Sequence, residues 1–139
     1  MTATIDRLRA VDLFSELDDE TLEKILLLGK EVEWAAGQTV IQEDDRRGEV
    51  FHLILEGTAE VSAHGKPVAQ GGPGDCVGEL SLIDGKPRSA QVSAVTDLTT
   101  FSLASWHFDG LLDKQPALRK QLMISLCARI RRLTETISG

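Results

Sequence analysis

Val50-Phe51-His52-Leu53-Ile54-Leu55-Glu56-Gly57-Thr58-Ala59-Glu60-Val61 decides the fold. Two short runs rich in β-branched and large apolar residues flank one glycine, and the second alternates apolar with polar. That is the pattern of strands separated by a turn. Working outward, Gly37, Gly48, Gly65, Gly71-Gly72, Gly74 and Gly85 punctuate the chain between positions 31 and 104. Turn signals at intervals of roughly eight to twelve residues, with no long helical period between them, predict an antiparallel sandwich or roll. Val92, Ala94, Phe101 and Leu103 read as inward positions of a closing hairpin with Thr96-Asp97 near its turn.

The flanks have a different period. Before residue 30, Asp18 and Asp19 are N-cap candidates and Glu20 adds negative charge to a first helical turn. Leu22, Ile25, Leu26 and Leu28 supply its apolar face, and Gly29 is its stop. Val11-Asp12-Leu13-Phe14 reads as a short helical turn that tucks Phe14 inward. After residue 104, Leu118, Leu122, Leu126, Ile130, Leu133 and Ile137 form one apolar stripe, with Pro116 in its first turn. The predicted fold class is mainly β with flanking helices. It is an antiparallel β-roll or jelly-roll (a double-stranded β-helix) with N-terminal helices and a long C-terminal helix. A single domain spans 1–139: helical 1–30, roll 31–104, helical 105–139.

Composition excludes several function classes. The formal net charge of −7 disfavours a nucleic-acid-binding surface, which needs clustered Lys and Arg. The longest apolar run, Ile25 to Leu28, is far short of the ~20 residues of a membrane span. Residues 1–10 lack the apolar segment of a secretory signal, so a cytoplasmic location is expected. Cys76 and Cys127 read as two buried thiols in a reducing compartment rather than a disulfide. His52, His64 and His107 share no metal-ligand spacing. No nucleophile–base arrangement is visible, so neither a metal, a cofactor nor an enzymatic activity is expected.

The chemistry concentrates in Gly74-Asp75-Cys76-Val77-Gly78-Glu79-Leu80-Ser81-Leu82-Ile83-Asp84-Gly85-Lys86-Pro87-Arg88-Ser89-Ala90. Gly78 releases the chain into a short helical segment whose unpaired N–H groups suit a phosphate. Pro87 stiffens the approach to Arg88, whose guanidinium fork matches phosphate oxygens. Glu79 beside an anion site needs a reason, and a sugar hydroxyl provides one.

This stretch resembles the phosphate-binding cassette of the cyclic-nucleotide-binding domain family, found in bacterial cAMP receptor proteins and protein kinase A regulatory subunits. The family pattern is Phe-Gly-Glu-Leu-Ala-Leu, a few residues, then Pro-Arg-Ser/Thr/Ala-Ala. Here it reads Val77-Gly78-Glu79-Leu80-Ser81-Leu82 and Pro87-Arg88-Ser89-Ala90. Val77 and Ser81 depart from it, and both departures fall on packing positions. Ala36 to Ile41 resembles the family's early glycine turn, and Gly48 to Val61 its central hairpin.

The resemblance implies a cassette over 78–90, with Arg88 on the cyclic phosphate and Glu79 on the ribose 2′-OH. Gly78, Leu80, Ser81, Ser89 and Ala90 would complete the ligand-binding set. Ser89 favours cAMP over cGMP. The function implied is a non-enzymatic regulatory sensor that transmits binding through its C-terminal helix. Arg119, Lys120, Arg129, Arg131 and Arg132 read individually as the solvated face of that amphipathic helix, and the resemblance adds the alternative that Arg129, Arg132 or Thr134 approaches the base. An aromatic lid would have to be Trp34, Trp106 or a Phe. The alternative is a protein-interaction domain of the same fold without a ligand. Its effector is a separate protein or a fused domain. The chain offers no helix-turn-helix after the last helix, and the apolar stripe there is either a homodimer seam or the closure of the roll.

Overall fold

The computed structural model describes residues 4–41, 50–77 and 90–138, with only the backbone of Arg129, Leu133 and 136–138. Helix α1 (Ile5–Arg9) is capped by Thr4, whose hydroxyl accepts from Arg7 N at 3.2 Å. A 3-10 turn (Asp12–Phe14) then buries Phe14 completely. Helix α2 (Asp19–Leu28) is capped by Asp18, whose Oδ1 accepts from Thr21 N at 2.9 Å.

Leu22 and Ile25 of α2 are buried and Leu26 packs beside them. Leu28 is 41% exposed rather than part of that face, because it occupies the last position, where the chain turns away into β1. Gly29 ends the helix with φ −99°, outside the left-handed region. A side chain is excluded there by crowding, since a Cβ would overlap the Phe101 ring and approach Ser102 O at 2.9 Å.

Among the described residues eight strands follow: β1 (Lys30–Trp34), β2 (Thr39–Ile41), β3 (Val50–Glu56), β4 (Ala59–Ala63), β5 (Lys66–Gly71), β6 (Cys76–Val77), β7 (Gln91–Ala94) and β8 (Leu98–Ala104). They form two four-stranded antiparallel sheets, ordered β1-β8-β3-β6 and β2-β7-β4-β5. The antiparallel roll with flanking helices is the architecture the glycine-punctuated pattern predicted.

Two hairpin expectations are corrected. β3 and β4 lie in different sheets, and so do β7 and β8. The turns at Gly57 and at Thr96-Asp97 carry the chain across the roll rather than pairing adjacent strands. Gly57 adopts φ +90°, and a Cβ there would overlap the carbonyl oxygen of Asp97.

The partition follows from burial. Residues 51–55 of β3 are all buried, because helices cover one face of its sheet and the second sheet covers the other. Phe51, Leu53, Leu55, Phe101, Leu103 and Cys76 face the helices. Ile54, Leu98 and Val77 face Ile41, Ala59, Val92 and Ala94 of the second sheet.

Helices α3 (Ser105–Lys114) and α4 (Pro116–Ser138) close the helical side. Phe108 of α3 stacks on Phe51, with centroids 4.5 Å apart and planes 11° from parallel. Arg119 ties the α3–α4 joint by donating to the carbonyls of Leu112 and Asp113. In α4, Leu118 and Leu122 are buried and Leu126 is partly covered, whereas Ile130 is 63% exposed. The apolar stripe is therefore buried over its first half, where α4 lies on the 3-10 turn, and not at Ile130. No disulfide forms: Cys76 is buried, but Cys127 is exposed on α4, contrary to the expectation of two buried thiols.

Candidate functional site

The segment that carries the motif is held at two ends by different sheets. Its entry is β6, whose described residues pair with β3, His52 opposite Val77 and Leu53 opposite Cys76. The tight turn before it is fixed by its own hydrogen bonds. Asp75 Oδ2 accepts from Gly72 N at 2.8 Å, Ile54 N donates to Asp75 O at 2.9 Å, and Gly74 N donates to Ile54 O at 2.9 Å. Cys76 then points to the helical core and Val77 to the space between the sheets.

The exit is Ala90, half-buried, followed by β7 in the interior of the second sheet, where Val92 pairs with Ile41 and Val61. The described chain thus leaves the first sheet at Val77 and resumes in the second at Gln91. Gly78, Glu79, Leu80, Ser81, Arg88 and Ser89 lie outside the described residues, and Ala90 alone of the expected set lies within them.

Between the sheets, beside that entry, lies a group that sequence pattern did not single out. Trp34 Nε1 donates to Thr100 Oγ1 at 3.0 Å. Thr100 Oγ1 is 3.3 Å from Ser102 Oγ, which is 2.8 Å from His52 Nδ1. The Trp34 and His52 rings meet edge-on, centroids 5.9 Å apart. His52 is 6% exposed and Thr100 fully buried. These four form a connected polar file that, among the described residues, lies beside the apolar cluster between the sheets. The available signal was the alternation of Thr100 and Ser102 with Phe101 and Leu103, which in a strand covered on one face only would place the hydroxyls in solvent.

The helical candidates are placed as follows. Arg132 shares a cavity of about 210 Å³ with Asp12, Asp75 and Gln121, on the helix side of the β6 turn. Thr134 Oγ1 donates to Ile130 O within its own helix at 3.0 Å. The side chain of Arg129 lies outside the described residues. Of the aromatic candidates, Trp34 sits in the polar file and Trp106 is 70% exposed on α3. Among the described residues no three His, Cys, Asp or Glu side chains converge to hold a metal ion, and no helix is long and apolar enough to cross a membrane.

Comparison with known proteins agrees with this geometry. Residues 31–115 match the family described as the cyclic nucleotide-binding domain. The chain is 33% identical over 112 residues to the Pycsar effector protein XpPycTIR of Xanthomonas perforans, covering 80% of this chain and 37% of that protein. It superposes on the cAMP-bound fragment PfPKA-R (141–441) with a TM-score of 0.82 and 26% identity, over 95% of this chain and 45% of that one. The regulatory subunit of a cAMP-independent protein kinase A from Trypanosoma brucei gives a TM-score of 0.78 and 27% identity, over 87% and 45%. The chain thus spans less than half the length of each of these relatives.

Proposed function

The chain belongs to the cyclic nucleotide-binding domain family, and from that premise we propose that it is a sensor module whose ligand is a cyclic nucleotide, cAMP in preference to cGMP. The observation that carries the reading is the Gly78-Glu79 and Pro87-Arg88-Ser89-Ala90 pattern, set between β6 of the first sheet and β7 of the second. Arg88 takes the cyclic phosphate through its fork, and Glu79 accepts from the ribose 2′-OH. Gly78, Leu80, Ser81, Ser89 and Ala90 surround the sugar and phosphate. The chain's own part is binding, and the effector is a partner protein or a fused domain.

Transmission rests on α4. Its first half is anchored by Leu118 and Leu122, while Met123, Ile124 and Ile130 are exposed on it. A ligand that binds one placement of this helix more tightly than another shifts the population between them by that difference in affinity. A second copy of the chain seated on the exposed apolar residues is the homodimer reading.

Calorimetric titration with cAMP and cGMP, on the parent and on Arg88→Ala, tests the site. Breaking a desolvated ion pair costs about 3–5 kcal/mol, a loss of several hundredfold or more in affinity. Undiminished affinity in Arg88→Ala overturns the assignment of Arg88. The second reading, an interaction domain without a nucleotide, is favoured by the likeness to a regulatory subunit described as cAMP-independent. Its signature is a parent chain that binds neither nucleotide.

A further inference from the structure

We propose that the Trp34–Thr100–Ser102–His52 file is a positioning device for the entry to the nucleotide-binding segment, and that His52 is its working end. This rests on the nucleotide-sensor reading above. The first support is register: His52 stands opposite Val77, the last residue of β6 and the last before the segment begins. The second is the fixed direction of its ring. Ser102 on β8, directly opposite His52 on the other side, holds Nδ1 at 2.8 Å, and Trp34 closes on the ring edge. The third is location: Ile54 and Val77 share this inter-sheet face, so the imidazole lies beside the point at which the chain leaves Val77.

Stability alone does not call for such a file. Replacing both members of a buried hydrogen-bonded pair by apolar groups of similar shape is close to neutral, whereas a hydrogen-bonded network fixes orientation. The file therefore gives direction at the root of the segment. Within the described residues β6 pairs with β3 at His52–Val77 and Leu53–Cys76, so the direction of the His52 ring bears on the last described residue before the segment.

The test uses Ser102→Ala, Ser102→Thr and the paired variant His52→Phe with Ser102→Ala, each titrated calorimetrically with cAMP and cGMP and melted without ligand. Thermal midpoints within a few degrees of the parent are expected for all three. Affinity is expected to fall about tenfold or more in Ser102→Ala and in the paired variant, the scale of one net hydrogen bond. Ser102→Thr, which keeps the hydroxyl, is expected to retain the parent affinity. In the parent, the ¹⁵N resonances of the His52 imidazole should move on saturation with nucleotide. Affinities within twofold of the parent in both polar-deleting variants overturn the positioning role while leaving the sensor reading intact. If the paired variant fails to fold, Ser102→Ala and the imidazole resonances decide. A parent that binds neither nucleotide overturns both.

Discussion

The two faces of the first sheet are made of the same strands and serve different ends. On the helical face, Phe51, Leu53, Leu55, Phe101 and Leu103 meet Phe14, Phe108 and Leu118 in an apolar core. On the opposite face, His52, Thr100 and Ser102 interrupt the apolar lining with a line of hydrogen bonds that ends at Trp34. Cohesion comes from the first face, where burial scales with apolar area. The second offers less of that and more fixed polarity, beside the entry to the motif-bearing segment. Apolar cohesion and the polar file thus lie back to back on β3 and β8, one residue apart.

The contrast predicts unequal responses to substitution. Phe51→Ala removes the stacked partner of Phe108 and is expected to cost about 3–5 kcal/mol by chemical denaturation. Little loss would mean that the helical face is not the main source of cohesion. Gly57→Ala should cost about 1–3 kcal/mol, because it strains the turn that carries the chain from the first sheet to the second. On the inter-sheet face, Thr100→Val keeps the shape but deletes the acceptor of the Trp34 indole, and about 1 kcal/mol is expected. Adding Trp34→Phe would sharpen the comparison by removing the orphaned donor, though it also changes ring size.

The smallest effect lies in α2. Hydrogen bonds from the Thr21 side chain and backbone hold the Asp18 carboxyl below the usual carboxylate range. Its folded-state pKa is depressed, so its contribution is present above the unfolded value of about 3.9 and is lost as pH falls through the folded value. Asp18→Ala should lower the thermal midpoint by a few degrees at neutral pH. The gap to the parent should narrow in acid, and a gap independent of pH would contradict the capping role.

The same contrast explains what the sequence disclosed. The helices, the Asp18 cap, the inward Phe14 and the glycine-punctuated strands were legible because each rests on local spacing. Which sheet a strand joins was not. Alternation tells that successive side chains point opposite ways, but both directions from β3 lead to a buried face. Thr100 and Ser102 alternate with Phe101 and Leu103 just as solvent-facing positions do, so the alternation alone does not distinguish a buried polar file from an exposed face. Cys127 was misplaced because a count of two thiols does not say which face of a helix carries one. The apolar stripe left open whether Ile130 would be covered, since a stripe does not state how far along the helix a neighbour extends. The Gly78-Glu79 and Pro87-Arg88 motif was legible as chemistry, since its residue types and spacing speak for themselves without the fold.

The tie between β3 and β8 has an evolutionary side. Their ladder runs from Val50 opposite Ala104 to Glu56 opposite Thr99, entirely outside the motif-bearing stretch. Sequence drift between Val77 and Ala90 removes none of its hydrogen bonds. A roll held together in this way can be inherited by proteins with unrelated outputs.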